Sequence, residues 1–182
     1  MFMLETPRLL LRPFRADDAA TFAAYRSDPL VARYQGWDAP YPLEQATAFV
    51  ASMMQVEPGR PGAWFQAAIE RRADGAMLGD CAFQVLADEP RQAQIGCTLA
   101  REHQGQGVAA EAAGRLVDHL FDDLGLHRVV GVCDLENQAS RRLLERLGFH
   151  LEGVFRENVW FKGAWGSECL YARLRRDRQE PR

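Results

Sequence analysis

Gly105 and Gly107 stand immediately before a stretch with helical spacing, in REHQGQGVAAEAAG (101–114). A helix N-terminus exposes backbone N–H groups that lack acceptors and carries about half a unit of positive charge. Glycines in the entering loop let an anion come close to those groups. The chemistry open to this segment is therefore phosphate binding without a basic side chain. Two spacings fit it. Gly105-Gln106-Gly107-Val108-Ala109-Ala110 matches the dinucleotide pattern G-x-G-x-x-A, with Asp134 as the ribose-binding acid. Gln104, Gly107 and Ala109 fill the alternative Q-x-x-G-x-A. Against the dinucleotide pattern, AREHQ (100–104) separates the preceding strand-like run from the first glycine, and too little chain follows for repeated strand–helix units. Glycines that only turn the chain are the simplest alternative.

Metal chemistry finds no support. Cys81, Cys97, Cys133 and Cys169 are far apart with no C-x-x-C pairing, and the four histidines are not spaced as ligands. Three of the cysteines lie in strand-like runs, which suits free buried thiols in a reducing cytoplasm.

The elements that must position the glycine loop can be read from periodicity. RLLLRPF (8–14) reads as a strand, and Asp17-Asp18 open a helix ending near SDP (27–29). A second helix starts at Pro42 and is over by PGRPG (58–62). AWFQAAIER (63–71), MLGDCAFQVL (77–86) and QAQIGCTL (92–99) follow as strands, the first two joined by RADG. Val108, Ala109, Ala112, Ala113, Leu116, Val117, Leu120 and Phe121 then recur in helical steps up to Gly125. HRVVGVCD (127–134) reads as a buried strand. A helix over Asn137 to Leu147 ends on Gly148, and residues 152–174 form two strands around Lys162-Gly163. Antiparallel strands followed by strand–helix–strand–helix–strand predict an α+β fold on one sheet.

Composition agrees with one globular domain over 1–182. Of its residues 47% are apolar and 26% charged, and the net charge of -3 gives nucleic-acid binding little support. Lys162 is the only lysine among 22 basic residues, a bias read as codon usage rather than phosphate binding. No apolar run is long enough to span a membrane, the N-terminus lacks the features of a signal peptide, and the basic tail (about 175–182) is expected to be a flexible terminus.

IGCTLAREHQGQGVAAEA, DLENQASRRLLERLGFHLEGVFRE (134–157) and ETPRLLLRPFRADDAATFAAYRSDPLVARY occur in an order and spacing that resembles the GNAT N-acetyltransferases, in particular the RimJ/RimL type that acetylates ribosomal-protein N-termini. The resemblance covers roughly residues 4–174. It implies a mixed, mostly antiparallel sheet of about seven strands with about four helices. The sheet would splay between strands 4 and 5, QAQIGCTL and HRVVGVCD. It implies acetyl-CoA as cosubstrate, with N–H groups at Thr98 and Leu99 for the thioester oxyanion. The pyrophosphate would lie on Gly105, Gln106, Gly107, Val108 and Ala109, with Gln104 organising the loop. Asn137 would contact the pantetheine arm, while also being a good helix N-cap.

The acceptor implied is a peptide or small-molecule amine, including a ribosomal or other protein N-terminus, and a homodimer is a family-level option. Tyr34, Trp37 and Tyr41 would form the acceptor wall or pack as loop aromatics. Two positions depart from the common pattern. Leu144 stands where many relatives have a Tyr proton donor, which leaves Ser140, one turn earlier, as donor and cofactor contact. Gln94 replaces a common Glu, which leaves Asp80 and Glu152 as candidate bases and Gln94 as a substrate contact. The same losses keep open a CoA-binding sensor or interaction module with little turnover.

Overall fold

The strand-like runs assemble into one sheet in the order β1-β2-β3-β4-β5-β6-β8-β7. The structure is a computed structural model that describes residues 2–178. The strands are β1 (Leu4–Glu5), β2 (Leu9–Pro13), β3 (Trp64–Arg71), β4 (Met77–Val85), β5 (Gln92–Leu99), β6 (Arg128–Asp134), β7 (His150–Phe161) and β8 (Ala164–Leu174). The helices are α1 (Asp18–Arg26), α2 (Pro29–Ala32), α3 (Leu43–Met53), α4 (Val108–Asp122) and α5 (Gln138–Arg146). All neighbouring strands are antiparallel except β5 and β6. The elements beyond seven strands and four helices are β1, two residues long, and α2, a single turn. Both are too short for periodicity to register. The signal for α2 is Asp28-Pro29, since Asp28 accepts the Leu30 N–H and Pro29 takes the first helical position.

The amphipathic face of α4 packs Ala112, Leu116, Val117, Leu120 and Phe121 onto Leu11, Ile69, Phe83, Ala93, Val129 and Tyr171. Each such large side chain contributes about 1.5–3 kcal/mol by leaving water. The opposite sheet face is covered by α1 and α3, where Phe22 meets Phe14, Tyr25, Tyr41 and Phe49 edge-on or stacked. Buried Arg12 ties this layer down: its guanidinium reaches Asp18 at 2.7 and 2.9 Å and Glu70 at 2.6 Å. After β8 the chain forms a 3-10 turn at Arg175–Arg178, where the Arg175 N–H bonds the His127 carbonyl. Residues 179–182 of the basic tail lie outside the described residues. No helix among the described residues is long and apolar enough to cross a membrane.

The feature that makes a site is an interrupted pairing. β5 and β6 are in register only from Gln92↔Arg128 to Ile95↔Gly131. Beyond that, β5 follows β4 to Gly79↔Leu99, while β6 follows β8 to Asp134↔Glu168. A wedge opens between them. Gly79 lets β4 hold β5 this closely: a Cβ there would lie 2.2 Å from the Thr98 carbonyl oxygen and 2.8 Å from Leu99 Cα. At the far edge of the sheet, Lys162 at the tip of the β7–β8 hairpin donates to the carbonyls of Ala32 and Trp37, each at 2.7 Å.

Candidate functional site

The wedge is the mouth of a cleft of about 410 Å³. One wall is the end of β5 with the glycine loop, another is α5, and the third is α2 with Tyr34 and Gln35. An extension of about 50 Å³ runs deeper between the strands, lined by Cys97, Gly131, Cys133, Ser140 and Leu144 among others.

Gly105 (φ 72°) and Gly107 (φ 78°) both adopt the left-handed conformation, which costs other L-residues about 1–2 kcal/mol. Gly107 is the N-cap of α4 and supplies no side-chain cap, so the first N–H groups of α4 have no helical acceptor. Val108, Ala109 and Ala110 line the cleft, and a Cβ on Gly105 would meet nothing within 4 Å. This is an open cradle of donors at the positive end of a helix, the arrangement that fits a phosphate.

The back of the loop is clamped. Gln104 Nε2 donates to the Leu99 carbonyl at 3.1 Å and Gln106 Nε2 to the Glu102 carbonyl at 2.7 Å. Arg8 bonds the Gln106 carbonyl at 3.2 Å and Glu111 at 2.6 Å, and Thr6 also donates to Glu111. Burial works against the Glu111 charge, but the Thr6 and Arg8 bonds outweigh it and hold the carboxyl below its usual range. Gln106 belongs to this clamp and does not line the cleft.

Ladder parity decides which β5 amides face the gap. The Ala100 N–H donates to the Leu78 carbonyl on β4. Alternation then turns the Thr98 amide toward β4 and the Leu99 and Cys97 amides toward the wedge. Of the two amides expected at the thioester, that of Leu99 faces the wedge and that of Thr98 faces β4; both residues line the cleft.

On the opposite wall, Asn137 Oδ1 caps α5 by accepting the Ser140 N–H at 3.1 Å. Asn137 lines the cleft, and Ser140 lines both the cleft and its deep extension. Leu144 packs on Gly131 so closely that a Cβ there would lie 2.6 Å from it. Arg142 and Arg146, one turn apart on α5, also line the cleft and were not foreseen. Their i, i+4 spacing was the available signal, hidden in a chain rich in arginine.

Tyr34 reaches the cleft, with its hydroxyl 3.4 Å from the Glu136 carbonyl. The other residues expected at the acceptor, Trp37, Tyr41 and Gln94, do not line this cleft. Trp37 stacks on the Arg26 guanidinium at 3.8 Å and donates to the Arg26 carbonyl. Gln94 alternates with core-facing Ala93 and Ile95 and so points to the opposite sheet face.

Neither candidate base lines the cleft. Asp80 is 1% exposed, accepts the Tyr25 hydroxyl and sits 3.7 Å from Arg26; burial pushes its carboxyl up. Glu152 on β7 is bonded twice by Arg128, at 2.7 and 2.5 Å, which holds it below its usual range. All of β8 lies between β7 and β6, so Glu152 stands clear of the wedge. Among the described residues, no Asp, Glu or His lines the cleft, and no three such groups or thiols cluster for a metal.

Residues 8–150 match the family model described as "Acetyltransferase (GNAT) domain". The chain is 36% identical over 162 residues to an uncharacterized N-acetyltransferase, YoaA, of Bacillus subtilis, covering 88% of this chain and 90% of that protein. It is 32% identical over 98 residues to the ribosomal-protein-serine acetyltransferase of Escherichia coli, covering 54% of this chain and 55% of the relative. The crystal structure of a GNAT-family acetyltransferase from Bacillus anthracis superposes with a TM-score of 0.86 at 24% identity, covering 96% of this chain and 99% of that one.

Proposed function

The chain belongs to the GNAT acetyltransferase family and is an acetyl-CoA-dependent N-acetyltransferase; on that premise we propose that its acceptors are amines able to shed a proton unaided, protein N-terminal α-amines first among them. The observation that carries this reading is the cleft itself: a phosphate cradle and a serine hydroxyl line it and, among the described residues, no carboxylate or imidazole does. Acetyl-CoA supplies the activated acetyl thioester. The N–H groups from Gly105 to Ala109 receive its pyrophosphate, with Arg142 and Arg146 drawing phosphate charge to the rim. Asn137 keeps an amide N–H₂ free for the pantetheine arm while its oxygen caps α5. The Leu99 amide faces the position where negative charge develops on the carbonyl oxygen. Ser140 donates a proton to the departing sulfur and is reprotonated, through solvent, by the proton that the acceptor nitrogen sheds on becoming an amide.

An amine must be neutral to attack. With pKa values near 8 for an α-amine and 10.4 for a lysine-type amine, the neutral form is roughly 200-fold more abundant for the α-amine at pH 7. A cleft without a base favours the former. The Escherichia coli relative, named for a ribosomal-protein serine, supports a protein acceptor. The four free thiols support a reducing, cytoplasmic setting.

The test is coenzyme A release with peptides bearing free N-termini, polyamines, amino acids and aminoglycosides. Peptides should lead at pH 7, and kcat/KM should climb with pH up to the pKa of each acceptor. A polyamine preferred at pH 7, or a pH profile independent of the acceptor, would overturn the proposal. The phosphate placement has its own check. Gly107→Val puts a branched side chain in the left-handed region at the cradle and should raise the acetyl-CoA KM about 10- to 100-fold, or about 1.4–2.8 kcal/mol. An unchanged KM refutes that placement.

A further inference from the structure

The four cysteines, far apart in the chain, meet in the sheet as two cross-strand pairs, one on each side of the wedge. Register sets Cys81 opposite Cys97 on β4 and β5, and Cys133 opposite Cys169 on β6 and β8. The first pair touches, with Sγ atoms 3.5 Å apart. The ladder accounts for this contact. Ala100 and Leu78 form a hydrogen-bonded pair, so, counting back by alternation, Cys97 and Cys81 form a non-hydrogen-bonded one. In that class the Cα atoms lie about 4.5 Å apart and the side chains approach each other, a separation a disulfide can span.

The two thiols differ in access. Cys81 is 1% exposed, beneath α4, and donates its S–H to the Cys97 sulfur. That bond and burial push the Cys81 thiol well up, so it keeps its proton. Cys97 is half-buried and lines both the cleft and its deep extension. Cys133 lines the extension too, but burial pushes its thiol up to about 11.

We propose that Cys97 and Cys81 are a working dithiol, in which Cys97 captures small-molecule disulfides entering the cleft and Cys81 resolves the adduct. The disulfide of coenzyme A is the preferred ligand, a choice that rests on the acetyl-CoA reading above. Deprotonated Cys97 attacks one sulfur of the ligand disulfide. A Cys97–ligand disulfide forms, and the first ligand thiolate leaves and takes up a proton. Cys81 then loses its proton as its sulfur attacks Cys97 Sγ. The Cys81–Cys97 bond forms, and the second ligand thiolate departs with a proton. One small disulfide becomes two thiols, and two protein thiols become one disulfide. Without Cys81, coenzyme A would stay bonded in the cleft and block it; with Cys81, the cleft clears itself and only a reducible internal bond remains.

The experiment treats the reduced full chain with coenzyme A disulfide or with glutathione disulfide. Free thiols are alkylated, peptides are mapped by mass spectrometry, and acetyl-CoA binding is measured by calorimetry on the same preparation. The expected product has lost two hydrogens, carries a Cys81–Cys97 cross-link and retains no adduct. It should form at least about tenfold faster with coenzyme A disulfide, which the cleft holds beside Cys97. Cys81→Ser should retain coenzyme A on Cys97, and Cys97→Ser should yield neither product. Protein that binds acetyl-CoA yet forms no cross-link with either reagent, or that carries its adduct on Cys133, overturns the proposal. Cross-linking at equal rates without acetyl-CoA binding leaves the dithiol standing and removes the coenzyme A reading. The wild-type result decides the matter even if a variant fails to fold.

Discussion

Ser140→Ala is expected to lower kcat about a hundredfold to a thousandfold while leaving the KM for acetyl-CoA within about twofold. The size follows from what the hydroxyl does. A thiolate leaving group resembles a cysteine thiol, with a pKa near 8.5, so it can depart without a donor but does so more readily with one. Leu144, packed on Gly131, offers no proton, and Asp80 and Glu152 stand outside the cleft. The variant isolates the chemistry. The α5 cap uses the backbone N–H of residue 140, which alanine keeps, and alanine is the better helix former. A loss of kcat with an unchanged unfolding midpoint therefore reports a lost proton donor. An unchanged kcat would remove Ser140 from the mechanism.

Gly79→Ala acts on stability and on the site together. Its Cβ would meet the backbone of Thr98 and Leu99, which cannot rotate away as a side chain can. Either β4 and β5 separate or β5 moves into the wedge. Overpacking of a tight interior costs about 1–3 kcal/mol and more where backbone must shift, so a loss of at least about 3 kcal/mol is expected in urea unfolding. Because the strand that moves carries the Leu99 amide, acetyl-CoA binding should weaken even in the folded fraction. Stability within about 0.5 kcal/mol of wild type would refute the close approach.

The parts of this molecule readable from sequence are those whose cause is local. The 3.6-residue recurrence from Val108 to Phe121, the glycines before it and Gly148 after α5 each act within a few residues, and the elements fall where those signals place them. The surroundings of the two candidate bases were not legible, for the opposite reason. Nothing near Glu152 in the chain says that β8 will stand between it and the wedge, or that Arg128 will take both its oxygens. Asp80 is sealed by Tyr25 and Arg26 from another element. The orientation of the Thr98 amide depends on ladder parity, which a one-residue slip would invert. The same holds for the cysteines: 16 residues separate Cys81 from Cys97, and only register reveals that they touch.

Lys162 carries a consequence for the order of assembly. Its ammonium holds the carbonyls of Ala32 and Trp37 across separations of 130 and 125 residues, and Ala32 ends the helix that forms the third wall of the cleft. Val31 and the Asp28–Arg101 ion pair seat that wall on earlier parts of the chain, but this tie cannot form until the last hairpin has been synthesised and folded. Long-range closures of this kind come late because the chain loses the entropy of the loop before any contact rewards it. A nascent chain that has completed α4 already carries the residues of the phosphate cradle; the last tie on the third wall waits for the one lysine in the protein.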